Sequence, residues 1–552
     1  MTERGAVRGM ILAAGYGTRL APWSDHLPKP LLPVPGGTVL DRAVAALDTA
    51  GAGEIAVNTH HLGELVAGHL RARRDAARFT LLPEAEILGT GGALANARAF
   101  LTAGDTFLLH NGDVLADLDL GALLAEHHRN GALATLVLVD WPAVNSVDLA
   151  PDGAVLAIAE RPTAARGRRL TYAGVGAFAS ALLEDIGPGF SSLIDPLVRG
   201  IAAGPGRVRG FVPTAPAWSD LGTLPRYLDA VADAGALDGG AGGLEPITGQ
   251  GSDRRFWRLR APGWTAVAVR SPDDDPEFER GLAITRFLAA EGLGAAQLLA
   301  VHAPERTLLA EDLGRDTLNV LAAGPGRDAA YNLVVDHLLR LQAATAAAAA
   351  RCPEAVDRTL DRGVLAWETG YFRNRFLSGH LGLPAQALAP LDEEFDLLNE
   401  VVAAQPLVLL HRDFQSQNIL LQDGRVRLVD VQGMRLGPLG YDAASLLWDP
   451  YVELPCEMRS RLLERFARGA SAPCGLEPAA VRACVLAAGL QRLMQALGAY
   501  GFLGHVKGKP AFLEHIPRGV ANLQDLLARN AAAGGPQLPR VAALLAAVLP
   551  PA

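Results

Sequence analysis

Along residues 1–230, short apolar runs alternate with amphipathic stretches. Gly9–Ala14, Glu54–Asn58, Phe79–Leu82 and Thr106–His110 have the compact apolar pattern of strands. Val39–Ala50, Leu62–Arg73 and Gly92–Leu101 repeat their apolar residues at helical spacing. Strand–helix alternation of this kind predicts an α/β domain, a mostly parallel sheet covered by helices. In such sheets ligands bind beyond the carboxyl ends of the strands.

The pattern then changes. Residues 233–243, DAGALDGGAGG, have the composition of a linker. Beyond them Pro246–Arg270 reads as a strand pair with its turn at Gly249–Asp253, and from Glu277 the chain reads as mainly helical, the alanine run Ala346–Ala350 included. Strands return at Pro406–Leu410, Ile419–Leu421 and Val426–Asp430. A β-rich start followed by a helical body predicts a second, α+β domain. The expected division is therefore a domain at 1–232, a linker at 233–243 and a domain at 244–552.

Composition agrees with two domains, because 552 residues exceed what one hydrophobic core serves. A net charge of -9, without long charged runs, argues against nucleic acid or a membrane surface as partner. The cluster Arg166, Arg168 and Arg169 reads as a solvated loop. The apolar run Met10–Ala14 stops at glycine, which fits neither a signal peptide nor a membrane helix. Cys352, Cys456, Cys474 and Cys484 show no CxxC spacing and read as buried free thiols in a reducing cytoplasm.

Two stretches carry chemistry. The first strand runs into LAAGYGTRLAPWSDHLPKP, where Ala14, Gly15, Gly17 and Thr18 form a small-residue turn whose amides can cradle phosphate. Arg19 and Lys29 follow at distances that return them to the same mouth. Two cations and such a turn suit a triphosphate whose negative charge grows during displacement. Leu12–Pro30 resembles the signature of the sugar-1-phosphate nucleotidylyltransferases, which have a Rossmann-like nucleotidyltransferase fold. The likeness extends over about residues 8–230 through Glu84, Leu88–Gly92, Asn111–Asp113, Glu160–Pro162, Tyr172–Gly174 and Trp218–Thr223. It implies that Arg19 contacts the leaving pyrophosphate, Lys29 the reacting phosphates, and Glu84 and Gly89 the base. It further implies that Asp113 and Asp220 hold Mg2+ and that Glu160 and Gly174 line the sugar pocket. Where the family commonly has Glu-Lys-Pro, this chain has Glu160-Arg161-Pro162.

The second stretch is His411-Arg412-Asp413 followed, after four residues, by Asn418, with Asp430 at the end of the next apolar strand. This spacing belongs to a phosphoryl-transfer loop: the aspartate accepts a hydroxyl proton, and the asparagine and second aspartate bind magnesium. Residues 244–530 resemble the aminoglycoside phosphotransferase and choline kinase group, whose fold is protein-kinase-like. Asp430-Val431-Gln432-Gly433 in place of Asp-Phe-Gly favours a small-molecule kinase, and Asp442 matches a structural position of the group. Glu311 and Leu313 would bind ATP at the connection between lobes. Ser252 belongs to a glycine-rich loop whose third glycine is absent, and Arg270 stands where the phosphate-binding lysine is usual. Arginine offers a different reach and a forked geometry.

Ile247-Thr248-Gly249 and Ser252–Arg258 look closest to anomeric kinases of cell-wall sugar recycling, which act on N-acetylmuramate and N-acetylglucosamine. The resemblance thus implies ATP-dependent 1-phosphorylation of an amino sugar, then transfer from UTP, with small-molecule sugars and nucleotides as the partners. A hexose-1-phosphate guanylyltransferase and a choline kinase joined to a cytidylyltransferase fit the same motifs. Trp367 and Tyr371 would contribute to a cage in the choline case but read more simply as helix packing. A non-catalytic kinase-like binding module is the alternative of a different class.

Overall fold

The structure is a computed structural model and describes residues 7–158, 167–214, 217–233, 243–247 and 253–548. Glu160, Ser252, Arg166 and most of the Gly/Ala-rich linker lie outside the described residues. Contacts divide the chain into two compact units. One comprises Met1–Gly249, Arg254–Arg270 and Leu299–Leu309, the other Gln250–Asp253, Ser271–Leu298 and Ala310–Ala552.

In the first unit nine described strands form one mixed sheet. Arg8–Leu12 lies between Glu54–Thr59 and Thr106–Asn111, parallel to both, and Phe79–Pro83 continues the parallel set. The long strand Arg168–Ala179 runs antiparallel to Thr106–Asn111 and extends the sheet on that side. Successive strand residues face opposite sides. Met10, Leu109, Leu136 and Phe178 accordingly enter one apolar cluster, while Ile11, Leu108, Val137 and Ala177 enter another. Helix Val39–Thr49 starts at a capping box, with the Asp41 amide 3.1 Å from Thr38 Oγ1 and the Thr38 amide 3.0 Å from Asp41 Oδ2. Val39, Leu40, Ala43, Val44 and Leu47 form its buried stripe. A further cluster gathers Trp23, Tyr227, Leu259 and Ala266.

A five-stranded sheet has the order Leu244–Ile247, Arg255–Ala261, Trp264–Arg270, Thr307–Glu311, Leu298–His302. The expected strand pair is therefore three strands, because Gly263, at φ 68°, makes a second turn. The last two strands fall where helix was expected. LLAVH and TLLAE are rich in helix formers, and pairing across the sheet outweighs that preference. Arg435–Pro438, which pairs with Leu407–Leu410, was hidden by its own glycine and proline. The helical body is otherwise as read, with long helices at Arg327–Ala343, Cys456–Cys474 and Pro478–His505. Among the described residues no single helix is long and apolar enough to cross a membrane.

Two expectations need correction. Arg169 is a strand residue whose Nε lies 2.8 Å from the buried carboxylate of Asp148, so it is not part of a solvated loop. All four cysteines are free, but only Cys352 is buried and Cys456 is exposed.

Candidate active sites

In the first unit the ends of the parallel strands open on a cleft of about 240 Å³. Ala13, Ala14, Gly15, Lys29, Asn58, Glu84, Gly89, Asn111 and Asp113 are among its lining residues. Asn58 closes the strand Glu54–Thr59 and organises the wall. Its Oδ1 accepts the Ala13 amide at 2.8 Å and its Nδ2 donates to Glu84 Oε1 at 2.8 Å. Glu84 Oε2 accepts the Leu88 amide at 2.9 Å, so both oxygens of this buried carboxylate hold backbone or neighbour. Glu84 thereby shapes the turn into Gly89, where φ is 70° and an added Cβ would lie 2.6 Å from the Ser191 carbonyl oxygen. Only glycine fits such a position. His60 and His61 serve the same wall: His60 Nδ1 meets the Glu84 carbonyl at 2.8 Å, and His61 Nε2 meets the Ser24 carbonyl at 2.7 Å.

Lys29 Nζ lies 3.4 Å from Asp113 Oδ2. Strand Ala217–Asp220 pairs antiparallel with Val114–Asp117 so that Asp220 faces Val114, and the Leu221 amide donates to the Asp113 carbonyl at 3.1 Å. The ladder thus carries Asp113 and Asp220 to neighbouring ends. Arg226 Nη1 holds Asp220 Oδ2 at 2.8 Å. Arg19 approaches the same point, since a Cβ added at Gly222 would lie 2.6 Å from Arg19 Nη2 and 3.0 Å from each Asp220 oxygen. Gly17 packs on Lys29, and Thr18 opens the short helical turn containing Arg19. Gly174, at φ 75°, abuts Asn111 of the cleft wall. Its sequence-based partner Glu160 is not among the described residues.

In the second unit the loop after Leu407–Leu410 carries Asp413. Asp442 Oδ2 and Oδ1 accept the amides of His411 and Arg412 at 2.6 and 3.0 Å, and Asp449 Oδ2 accepts that of Ser416 at 2.7 Å. Two fully buried carboxylates therefore fix the loop from beneath. Burial raises the Asp442 carboxyl to about 7 against the pull of the two amides, and burial also raises Asp449. Asn418 Nδ2 donates to the Asp413 carbonyl at 3.0 Å, and its own carbonyl accepts the Val429 amide at 3.1 Å. That bond ties the loop to the strand that delivers Asp430. Asp430 itself is exposed, at φ 63°, with Gln432 Nε2 2.5 Å from its Oδ1.

Burial would push the Asp413 carboxyl up, but the guanidiniums of Arg412 and Arg492 outweigh it and the net shift is downward. Arg492 Nη2 lies 3.5 Å from Asp413 Oδ1 and 3.2 Å from Gln415 Oε1. Glu368, fully buried, lies 3.7 Å from Arg412 and accepts the Tyr441 hydroxyl at 3.1 Å. Arg280, on helix Phe278–Ala290, donates to the carbonyls of Gln432 at 3.1 Å and Met434 at 2.5 Å and so holds the turn after Asp430. Glu311 is a brace: it is paired with Arg427, and its carboxylate also accepts the Gln297 amide at 3.2 Å. Leu313 is buried, yet among the described residues its amide has no hydrogen-bond partner. Arg270 lies in the first unit, where it donates to Asp229 at 3.3 Å and to the Glu305 carbonyl.

Asn58, Asp449, Glu368, Arg492 and Arg280 were missed by sequence reasoning. Asn58 alone left a signal, a polar residue ending an apolar strand at the ligand-binding edge. The others are buried polar residues inside helices or loops without motif spacing. Trp367 and Tyr371 stack on each other at 4.9 Å, one helical turn apart.

Among the described residues no three His, Cys, Asp or Glu side chains gather into a metal cage. One or two carboxylates completed by phosphate oxygens and water are the usual setting for magnesium, and both sites offer that donor set. In the first unit Asp113 and Asp220 would hold it; in the second, Asp430 and the amide oxygen of Asn418, whose nitrogen is already committed. The metal would neutralise phosphate charge during displacement.

A cation-lined cleft at strand ends and an aspartate loop built for phosphoryl transfer define a nucleotidyltransferase and a phosphotransferase on one chain. The family patterns agree: residues 8–236 match Nucleotidyl transferase and residues 243–483 match the Phosphotransferase enzyme family. The chain belongs to the nucleotidyl transferase family in its first part and carries a phosphotransferase-family domain in its second. It is 36% identical over 241 residues to an N-acetylmuramate alpha-1-phosphate uridylyltransferase of Neisseria meningitidis serogroup B, covering 42% of this chain and 99% of that one. It is 29% identical over 312 residues to an N-acetylmuramate/N-acetylglucosamine kinase of Pseudomonas aeruginosa, covering 55% and 88%. A catalytic subunit beta of mannose-1-phosphate guanylyltransferase from Dictyostelium discoideum is 26% identical over 235 residues, covering 41% and 64%.

Proposed function

We propose that the chain phosphorylates N-acetylmuramate or N-acetylglucosamine at the anomeric hydroxyl with ATP, and then converts the sugar 1-phosphate and UTP to a UDP-sugar and pyrophosphate. The reading is carried by one observation: the two halves are separately similar to a kinase and a uridylyltransferase whose names share one sugar. The product of the first reaction is the substrate of the second, so the fusion is chemically coherent. We place both reactions in the cytoplasm, as part of cell-wall sugar recycling.

In the kinase unit Asp413 accepts the proton of the anomeric hydroxyl as its oxygen attacks the γ-phosphorus, and ADP leaves. Asp442 and Asp449 are positioning residues for that loop. The Leu313 amide donates to adenine. In the nucleotidyltransferase unit a phosphate oxygen of the sugar 1-phosphate attacks the α-phosphorus in line, and no protein nucleophile is needed. Lys29 and the turn at Ala14–Thr18 hold the reacting phosphates, and Arg19 receives the charge of departing pyrophosphate. Gly89 lies beneath the base, while Glu160 and Gly174 serve the sugar.

The test is purified chain with magnesium, ATP, UTP and N-acetylmuramate, with the products read by mass spectrometry. UDP-N-acetylmuramate is expected, lost in Asp413→Ala and restored when the sugar 1-phosphate is supplied. Product from GTP and mannose 1-phosphate but not from UTP would favour the guanylyltransferase reading, which the Dictyostelium similarity motivates.

A further inference from the structure

The kinase site carries more guanidinium than its own carboxylates use. Arg492 is engaged by Gln415, Gln495, Ser445 and Asp413. Arg358 is paired in a fork with Glu277 at 2.9 and 3.1 Å. Arg435 differs. It follows the turn after Asp430, and its Nε donates to the Gly433 carbonyl at 3.0 Å. A Cβ added at Gly433 would lie 3.8 Å from Asp413 Oδ2, and the Arg435 charge is among those that hold the Asp413 carboxyl down. Among the described residues, the two terminal nitrogens of Arg435 have no hydrogen-bond acceptor and no carboxylate within ion-pair distance. Arg412 is similar: its contacts with Asp413 and Glu368 are each 3.7 Å, and its buried Nε has no acceptor. Burial first, then Arg412 and Arg358, press against the charge on Arg435. Half-buried like charges beside a catalytic carboxylate are costly unless an anion completes them.

We infer that Arg435, assisted by Arg412, receives a carboxylate of the acceptor, which makes this a site for sugar acids in preference to neutral sugars. A forked guanidinium matches a carboxylate bidentately, with two charge-assisted hydrogen bonds. N-acetylmuramate carries such a carboxylate, and N-acetylglucosamine is the same ring without it. The inference rests on the reading of this unit as a sugar kinase.

The experiment uses the full chain and compares kcat/KM for N-acetylmuramate and N-acetylglucosamine, with KM for ATP measured alongside. In Arg435→Gln the acid-to-neutral preference should fall about tenfold or more, through KM for the acid, and Arg435→Lys should recover part of it. An unaltered preference, or a loss dominated by KM for ATP, would overturn the inference by assigning Arg435 to the γ-phosphate or to loop structure. Turnover of neither sugar by the wild type would sink the proposed function instead. The inference would then be read by calorimetric titration with N-acetylmuramate and its methyl ester. Equal binding of the two, or an equal difference in Arg435→Gln, would overturn it.

Discussion

Asp413 works among arginines, and this sets its chemistry. Its carboxyl lies below the ordinary range, because Arg412 and Arg492 outweigh burial. It is therefore ionised at neutral pH and ready to accept a proton. Asp413→Asn keeps the shape and removes the acceptor, so sugar phosphorylation should fall about 10²–10⁴-fold. Nucleotidyl transfer from a supplied sugar 1-phosphate should be retained, and a coupled ADP assay beside a pyrophosphate assay reads both. Asp442 has the opposite shift. Burial raises it to about 7, against about 4 in an unfolded chain. As pH rises, the unfolded chain releases this proton first. The contribution of Asp442 to stability is thus largest below about pH 4 and is lost as pH climbs through 7. Asp442→Asn removes the titration but also one of two amide acceptors, at about 1–3 kcal/mol. In urea titrations at pH 5 and pH 8, the unfolding midpoint of the kinase unit should drop more in wild type than in the variant.

At the scale of elements, each site is a place where a few polar side chains tie strand ends and loops together. Asn58 and Glu84 link the strands Glu54–Thr59 and Phe79–Pro83 to the first turn and to helix Gly89–Asn96. Both Glu84 oxygens accept donors, so Glu84→Gln turns one accepting atom into a donor facing a donor. KM for the nucleoside triphosphate should rise about tenfold, equivalent to ~1.4 kcal/mol, with a smaller change in kcat. Initial rates at fixed sugar 1-phosphate measure it. This scale also separates what could be read from sequence. The parallel core strands and the H-R-D loop were legible, since apolar periodicity and motif spacing are local signals. Strands Leu298–His302 and Thr307–Glu311 were not, because their pairing partners, not their propensities, make them strands. The same holds for Arg280 and Arg492. Each reaches its site from a helix that is distant in sequence from the loop it holds, and nothing in the neighbouring residues marks it.

For the whole molecule, the two chemistries use no residue in common. Lys29, Asp113 and Asp220, proposed for one reaction, lie in the first unit, and Asp413, Asn418 and Asp430, proposed for the other, lie in the second. In the proposed sequence the intermediate joining them is a sugar 1-phosphate, a polyanion free to diffuse through solvent from one chain to another. Two disabled chains should therefore complement each other. An equimolar mixture of Asp413→Asn and Asp113→Asn proteins, given ATP, UTP and N-acetylmuramate, should form UDP-sugar after a lag in which free sugar 1-phosphate accumulates. The lag should shorten as total protein rises, because the second step then depends on the concentration of intermediate relative to its KM. Wild type at the same concentration of active sites should show a lag no longer than the mixture. If the mixture makes no nucleotide sugar while each variant retains its remaining reaction, the intermediate does not leave the chain that forms it, and the two units must be coupled by more than a shared metabolite.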